Sequence, residues 1–203
     1  MEKENKKFKY LSLDIETTGL IKERHDILSI GMIVVDTATV GKHPKLEDLP
    51  SLHIAINHEE VTGNLFAINM NQKLIKGILD GEVEDADVVR SYSSAGNKIE
   101  NFLDEHFGKK RITVIGKNAG TFDIPFLVNK IDREFWDPGL RGRFAHRVLD
   151  IGSMYYNPNE LNHVPNLKEC KEIAGIDGIV THNALEDAFD VVLLERLKFG
   201  KDV

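Results

Sequence analysis

Apolar and polar positions change period several times along the chain, and each change marks a new element. From Phe8 to Glu16 they roughly alternate, which is the period of a half-buried strand, and Thr17-Thr18-Gly19 breaks the run. Ile27 to Asp36 is almost continuously apolar, as a central strand is, with Gly31 marking either a bulge or a close-packing point. Ser51 to Ile56 alternates again, so the first three strands read as a meander. Between the second and third, Thr37 to Pro50 holds two prolines, Gly41 and mixed charge, and reads as an excursion.

Longer periods follow. Residues 64–79 place Leu65, Ile68, Leu74, Ile75 and Ile78 partly at helical spacing, with Asn69 and Asn71 interrupting, which predicts short helices. From Asp85, Val88 or Val89, Tyr92, Ala95, Ile99, Phe102 or Leu103 and Phe107 recur every three or four residues and Gly108 stops them, the pattern of an amphipathic helix. Arg111 to Ile115 predicts a fourth strand ending at Gly116, and Pro125 suits the first turn of a helix soon after it. Ala145 to Asp150 reads as a fifth strand. Two helices close the chain, one from near Asn166 with Leu167, Cys170, Ile173 and Ala174 on its apolar side, the other from Asn183, which with Glu186 has the capping-box spacing. Five strands interleaved with helices predict an α/β fold.

With 203 residues, 41% of them hydrophobic, the chain fits one domain over 1–203 with a core large enough to fold alone. Residues 1–7 read as a flexible basic tail without the apolar stretch of a leader. The single Cys170 excludes an internal disulfide framework, and no apolar run approaches the ~18 residues of a membrane span. A soluble, cytoplasmic protein without a membrane partner is expected. A net charge of −7 disfavours coating nucleic acid by bulk electrostatics, but not gripping one chain end where bound divalent ions supply local positive charge.

Candidate chemistry begins at Asp14 and Glu16. If the first strand runs through Glu16, both carboxylates point to one face about two rises of ~3.3 Å apart, within reach of one hard cation such as Mg²⁺ or Mn²⁺. A pair of solvated acids is the other reading, since 33 residues are Asp or Glu. Asp123 lies where a strand hands over to a helix, a place that suits both a ligand-site acid and a helix cap. Asp150, at another strand end, is a reserve ligand. Arg141-Gly142-Arg143 with His146 and Arg147 is a basic patch that reads as a phosphate contact or as a solvated loop. With Asn183 as the cap, His182 lies on the loop before the last helix and Asp187 one turn inside it, which frees the imidazole to swing toward the acids.

Three stretches together carry a family resemblance. Asp14-Ile15-Glu16-Thr17-Thr18-Gly19-Leu20 resembles the first motif of the DEDD exonucleases, a branch of the ribonuclease H-like superfamily. Gly116-Lys117-Asn118-Ala119-Gly120-Thr121-Phe122-Asp123-Ile124-Pro125-Phe126-Leu127 is similar to the second, with Lys117 where the family more often has His. His182-Asn183-Ala184-Leu185-Glu186-Asp187 resembles the third motif of the DEDDh branch, and the likeness spans residues 10–192.

The resemblance implies a five-stranded ribonuclease H-like mixed sheet with helices on both faces, the strand of Asp14 and Glu16 being central. It implies two divalent cations, Mg²⁺ or Mn²⁺, ~3.5 to 4 Å apart. Asp14 bridges them, Glu16 and Asp187 complete one, and Asp123 supports the other. His182 is then the general base of a hydrolysis that releases nucleoside 5′-monophosphates from the 3′ end of single-stranded DNA or RNA. Thr17, Thr18 and Gly19 are implied to hold the terminal nucleotide and Leu20 to pack beside its base. An acid at the place of Asp150 usually stays outside the first metal shell in the family. A second copy or a polymerase is the implied partner. A weakly catalytic or non-catalytic accessory subunit, and an endonuclease or other metal phosphohydrolase on the same scaffold, are the competing readings.

Overall fold

A computed structural model describes residues 8–135, 139–178 and 180–201. The basic tail expected at 1–7 lies outside the described residues. β1 (Lys9–Thr17) lies inside a six-stranded sheet of order β4-β3-β2-β1-β5-β6. β2 (Ile27–Asp36) and β3 (Ser51–Ile56) continue from it antiparallel, which is the predicted meander. β4 (Asp87–Val89) adds parallel to β3, β5 (Thr113–Gly116) parallel to β1, and β6 (Leu149–Asp150) parallel to β5.

The alternation of β1 decides what each sheet face does. Leu11, Leu13 and Ile15 join Met32, Val34 and Ile54 on one face, and there α3 (Tyr92–Phe107) brings Ile99 and Leu103 and α4 (Asp123–Phe135) brings Phe126 and Leu127. Tyr10, with Ile33, Val35 and Ile115, faces the other way, under α6 (Ile151–Tyr155), α7 (Leu167–Ala174) and α8 (Ala184–Phe199). Helices therefore cover both faces of an α/β sheet, as expected. The same face that carries Tyr10 carries Ser12, Asp14 and Glu16, so toward its end β1 turns polar, opposite Gly31 and Ser29 of β2. α1 (Leu65–Met70) and α2 (Gln72–Asp80) are the short helices predicted over 64–79, and α5 (Gly139–Arg143) follows α4.

Two boundaries differ from expectation. The sheet has six strands rather than five, because Val88 and Val89 form the edge strand β4 and not the start of α3. Three residues paired to Ile54, Ala55 and Ile56 carry too short a pattern to separate from a helical one. The helix begins after Ser91, whose side chain accepts the Ser94 N–H as its cap. The strand expected over 145–150 shrinks to its last two residues, with Phe144 only bridging to Ile112.

Gly31 is a close-packing point, not a bulge. Its pairing with Asp14 and His53 is in register, and a Cβ there would collide with the backbone carbonyl of Ala184 at the start of α8. The register shift in this pair of strands falls instead between Glu16 and Thr17. Without a side chain on Gly31, α8 can lower its first turn onto the sheet. Gly31→Ala is expected to cost about 1–3 kcal/mol by overpacking, read as a melting temperature several degrees below wild type. An unchanged melting curve would mean that α8 is not seated on β2.

Candidate metal and catalytic centre

The site is assembled from three elements that meet at the end of β1. Asp14 and Glu16 share the α8 face by strand period, Asp14 half-buried and Glu16 buried. Pairing of β1 with β5 stops at Ser12 and Ile115, which leaves that side of β1 open beyond it. Asp123, the first residue of α4, fills the opening: its buried carboxylate accepts the Ile15 N–H at 3.0 Å, between the two β1 acids. Its side chain is thus bonded to the strand, beside the two β1 acids.

From α8 comes the rest. Asn183 caps the helix, accepting the Leu185 and Glu186 N–H groups at 3.0 and 3.3 Å. His182 precedes it with φ of 54°, in the left-handed region that non-glycine residues adopt uncommonly. Its Nδ1 lies 3.9 Å from Glu16 Oε1, and buried Asp187 joins them so that ligand atoms of Glu16, His182 and Asp187 all lie within 4.8 Å of one another.

The electrostatics of this cluster follow from burial and like charge. Burial, then Asp123, Asp187 and Glu16, push Asp14 well above the usual carboxylate range, so all three other acids act on it. Burial and then Asp187 push Glu16 up to about 7, against a hydrogen bond from Asn71. Asp123 is also pushed up to about 7 by burial, although its own N–H and that of Ile15 pull the other way. For Asp187 burial and Asp190 do the same, again to about 7, opposed by the Thr181 backbone and Lys171. Asp187 Oδ1 is buried with no hydrogen-bond partner. An orphaned carboxylate oxygen among acids that repel one another fits hard divalent cations, which take oxygen ligands and compensate the charge.

The loop after Glu16 is mostly occupied with its own shape. Thr17 donates its hydroxyl to the Gly19 carbonyl at 2.8 Å. Thr18 is fully buried, its hydroxyl donating to the Thr62 carbonyl and accepting the Asp26 N–H at 2.8 Å, while its own carbonyl accepts the Asn64 N–H at 2.9 Å. Gly19 has positive φ, and a Cβ there would collide with His25. Leu20 is 78% exposed over a shallow groove of about 200 Å³ shared with Ile21, Phe122 and Pro125.

Other residues fall into place around the cluster. Asp150 stays out of it: Oδ2 accepts the Asn118 N–H at 2.7 Å and Oδ1 caps α6 through Ser153 at 2.8 Å. Burial pushes its carboxyl up, but those amides prevail and hold it below the ordinary value. Lys117 donates to the Asn118 side chain at 3.0 Å and leans toward Asp150. In the basic patch, Arg143 is tied to Asp104 and the Gly108 carbonyl at 2.6 Å each, so it joins α5 to α3. Asn71, which sequence reasoning did not assign to the site, is buried between α1 and α2, donates to the Thr17 carbonyl at 3.1 Å and supports Glu16. The signal for it was its interruption of the helical spacing.

No family model matches the chain, and no curated protein matches it in sequence. Solved structures do match. Exonuclease I of E. coli with a 5cy-dT13 oligonucleotide aligns at TM-score 0.61 and 17% identity over 93% of this chain. The chain shares its fold with a part of exonuclease I. The zinc-bound exonuclease I complex with single-stranded DNA aligns at TM-score 0.65 and 15% identity, and the dA16 complex at 0.64 and 14%. The chain spans 40% of the length of exonuclease I, and at these identities the likeness is one of fold. Among the described residues no helix is long and apolar enough to cross a membrane.

The raised acids make stability depend on pH with a definite sign. Glu16, Asp123 and Asp187 keep protons to about 7 when folded but lose them near 4 when unfolded. Their contribution is complete below about 4 and is lost as pH rises through 7. In a chelator, the melting temperature should fall by several degrees between pH 5 and 8, at roughly 2–4 °C per kcal/mol. Mg²⁺ should recover it at pH 8 far more than at pH 5, and Asp14→Asn should raise it in chelator at pH 8. A flat profile in chelator would contradict the mutual repulsion described above.

Proposed function

We propose that the chain is a metal-dependent 3′–5′ exonuclease of the DEDDh type, acting on the 3′ end of single-stranded DNA or RNA and releasing nucleoside 5′-monophosphates. The supporting observation is the convergence of four mutually repelling carboxylates with His182 at the open end of β1, in a sheet shared with exonuclease I. Asp14, Glu16, Asp123 and Asp187 would hold two divalent cations, Mg²⁺ or Mn²⁺. Bound there, the cations would activate water and neutralise charge on the reacting phosphate.

The chain's own residues do the remainder. With Nδ1 turned toward Glu16, His182 takes the proton of the attacking water at Nε2, and its 45% side-chain exposure lets that proton pass to solvent. Asp123, fixed to the Ile15 amide, holds α4 against β1 and so keeps the acid spacing constant. Thr17, Thr18 and Gly19 form the subsite of the terminal nucleotide. Because the polar groups of Thr18 are spent on Thr62, Asp26 and Asn64, it shapes the loop from below. Leu20 packs on the terminal base across the groove that Phe122 lines.

The test is digestion of 5′-labelled single-stranded DNA and RNA, resolved on a gel, with Mg²⁺ or Mn²⁺ against a chelator. A metal-dependent ladder shortening one nucleotide at a time from the 3′ end is expected. Asp14→Asn should lower the rate by at least about a thousandfold, and His182→Ala by about 10²–10⁴-fold. Intact substrate in every metal lane would remove the catalytic reading and favour an accessory binding role, and internal cuts on end-blocked DNA would favour an endonuclease.

A further inference from the structure

Among the described residues, the most exposed large apolar side chains outside the acid cleft sit together on α1: Leu65 is 86% and Phe66 79% exposed. Their position is fixed relative to the cleft, because α1 is bonded at both ends to the two residues that follow Glu16. At its start, the Asn64 N–H donates to the Thr18 carbonyl at 2.9 Å. At its end, the Asn71 side chain donates to the Thr17 carbonyl at 3.1 Å. Leu65, Phe66, Ile68, Asn69 and Gln72 line an open hollow of about 600 Å³ on this helix.

The charge of the surroundings says what chemistry such a surface suits. In a chain where 29% of residues are charged, the stretch from Val61 through Gln72 has no Asp, Glu, Lys or Arg. With a net charge of −7 and an acid cluster next door, phosphates away from bound cations gain nothing here. Bases are uncharged, present a flat face, and bring amide-like edges that Asn69 and Gln72 can meet. An exposed aromatic ring stacks on any base, provided that base is unpaired.

We infer that α1 is a stacking platform for the unpaired bases upstream of the terminal nucleotide, with Phe66 as the stacking face. This inference rests on the nuclease reading for its substrate class. It makes occupancy of the cleft and of α1 a joint requirement, which selects single strands long enough to span both.

Phe66→Ala and Phe66→Trp test it on two substrates: a long oligothymidylate, and the nitrophenyl ester of thymidine 5′-phosphate, which has no upstream base. In Phe66→Ala the KM on the oligonucleotide relative to the KM on the ester should rise about fivefold to about a hundredfold. Phe66→Trp should restore that ratio, and its fluorescence, measured over the wild-type background, should be quenched as oligothymidylate binds. An unchanged ratio in Phe66→Ala overturns the platform, as does failure of Phe66→Trp to restore it. If wild type hydrolyses neither substrate, the nuclease reading falls and direct binding decides the platform: a Kd for oligothymidylate weakened at least about fivefold by Phe66→Ala sustains it, and an equal Kd overturns it. Sedimentation completes the test. A wild-type dimer that Phe66→Ala dissociates without moving the ratio assigns this face to a second copy of the chain instead.

Discussion

Four carboxylates forced into one cleft repel one another, and the architecture around them is arranged to withstand that repulsion. Burial is the leading cause of every raised acid in the cluster, with like charge adding to it. The apolar cores on both sides of the sheet supply the stability that offsets it, since Leu11, Leu13 and Ile15 pack on one face while Asp14 and Glu16 occupy the other. The strand thus buries its odd-numbered side chains against one core and gathers its acids at the even-numbered end of the other face.

Secondary contacts keep the acids from relaxing apart. Asp123 is fixed through the Ile15 amide and Asp187 through a helix seated on Gly31. Glu16 is steadied by Asn71, and the loop beyond it by the bonds of Thr18 to Thr62, Asp26 and Asn64. Asp190 and Lys171 form a half-buried pair behind Asp187, with opposite effects on its carboxyl. Most of these ties are short in space and long in sequence, which is how a site of this kind is held rigid without a disulfide.

The sequence made local features legible and long-range ones obscure. The strands at 27–36 and 51–56 and the cap at Asn183 were readable because alternation, apolar runs and capping residues act over a few neighbours. β4 was not, because a three-residue edge strand exists only through its pairing with Ile54 to Ile56. The roles of Asn71 and Thr18 depend on partners 54 and 44 residues away, and Gly31 left open a choice that only the position of α8 decides. Motif spacing singled out the acids and His182 that converge at the end of β1, whereas the duty of Asp150 as a cap became visible only with the Asn118 and Ser153 amides in place.

Parallel pairing between β1 and β5 ends at Ser12, and what opens beyond it is bounded by a central strand and the starts of two helices. The acid end of the cleft is therefore built into the core, while the surface that would meet the rest of a ligand belongs to a loop and to α1. These two parts differ in how freely they can change over evolutionary time. Substitutions around the exposed Leu20 and Phe66 can alter the surface and leave the sheet intact, whereas substitutions around Asp14 and Gly31 disturb the fold itself. Change at this surface is cheap for the fold, and change at the acid cluster is not.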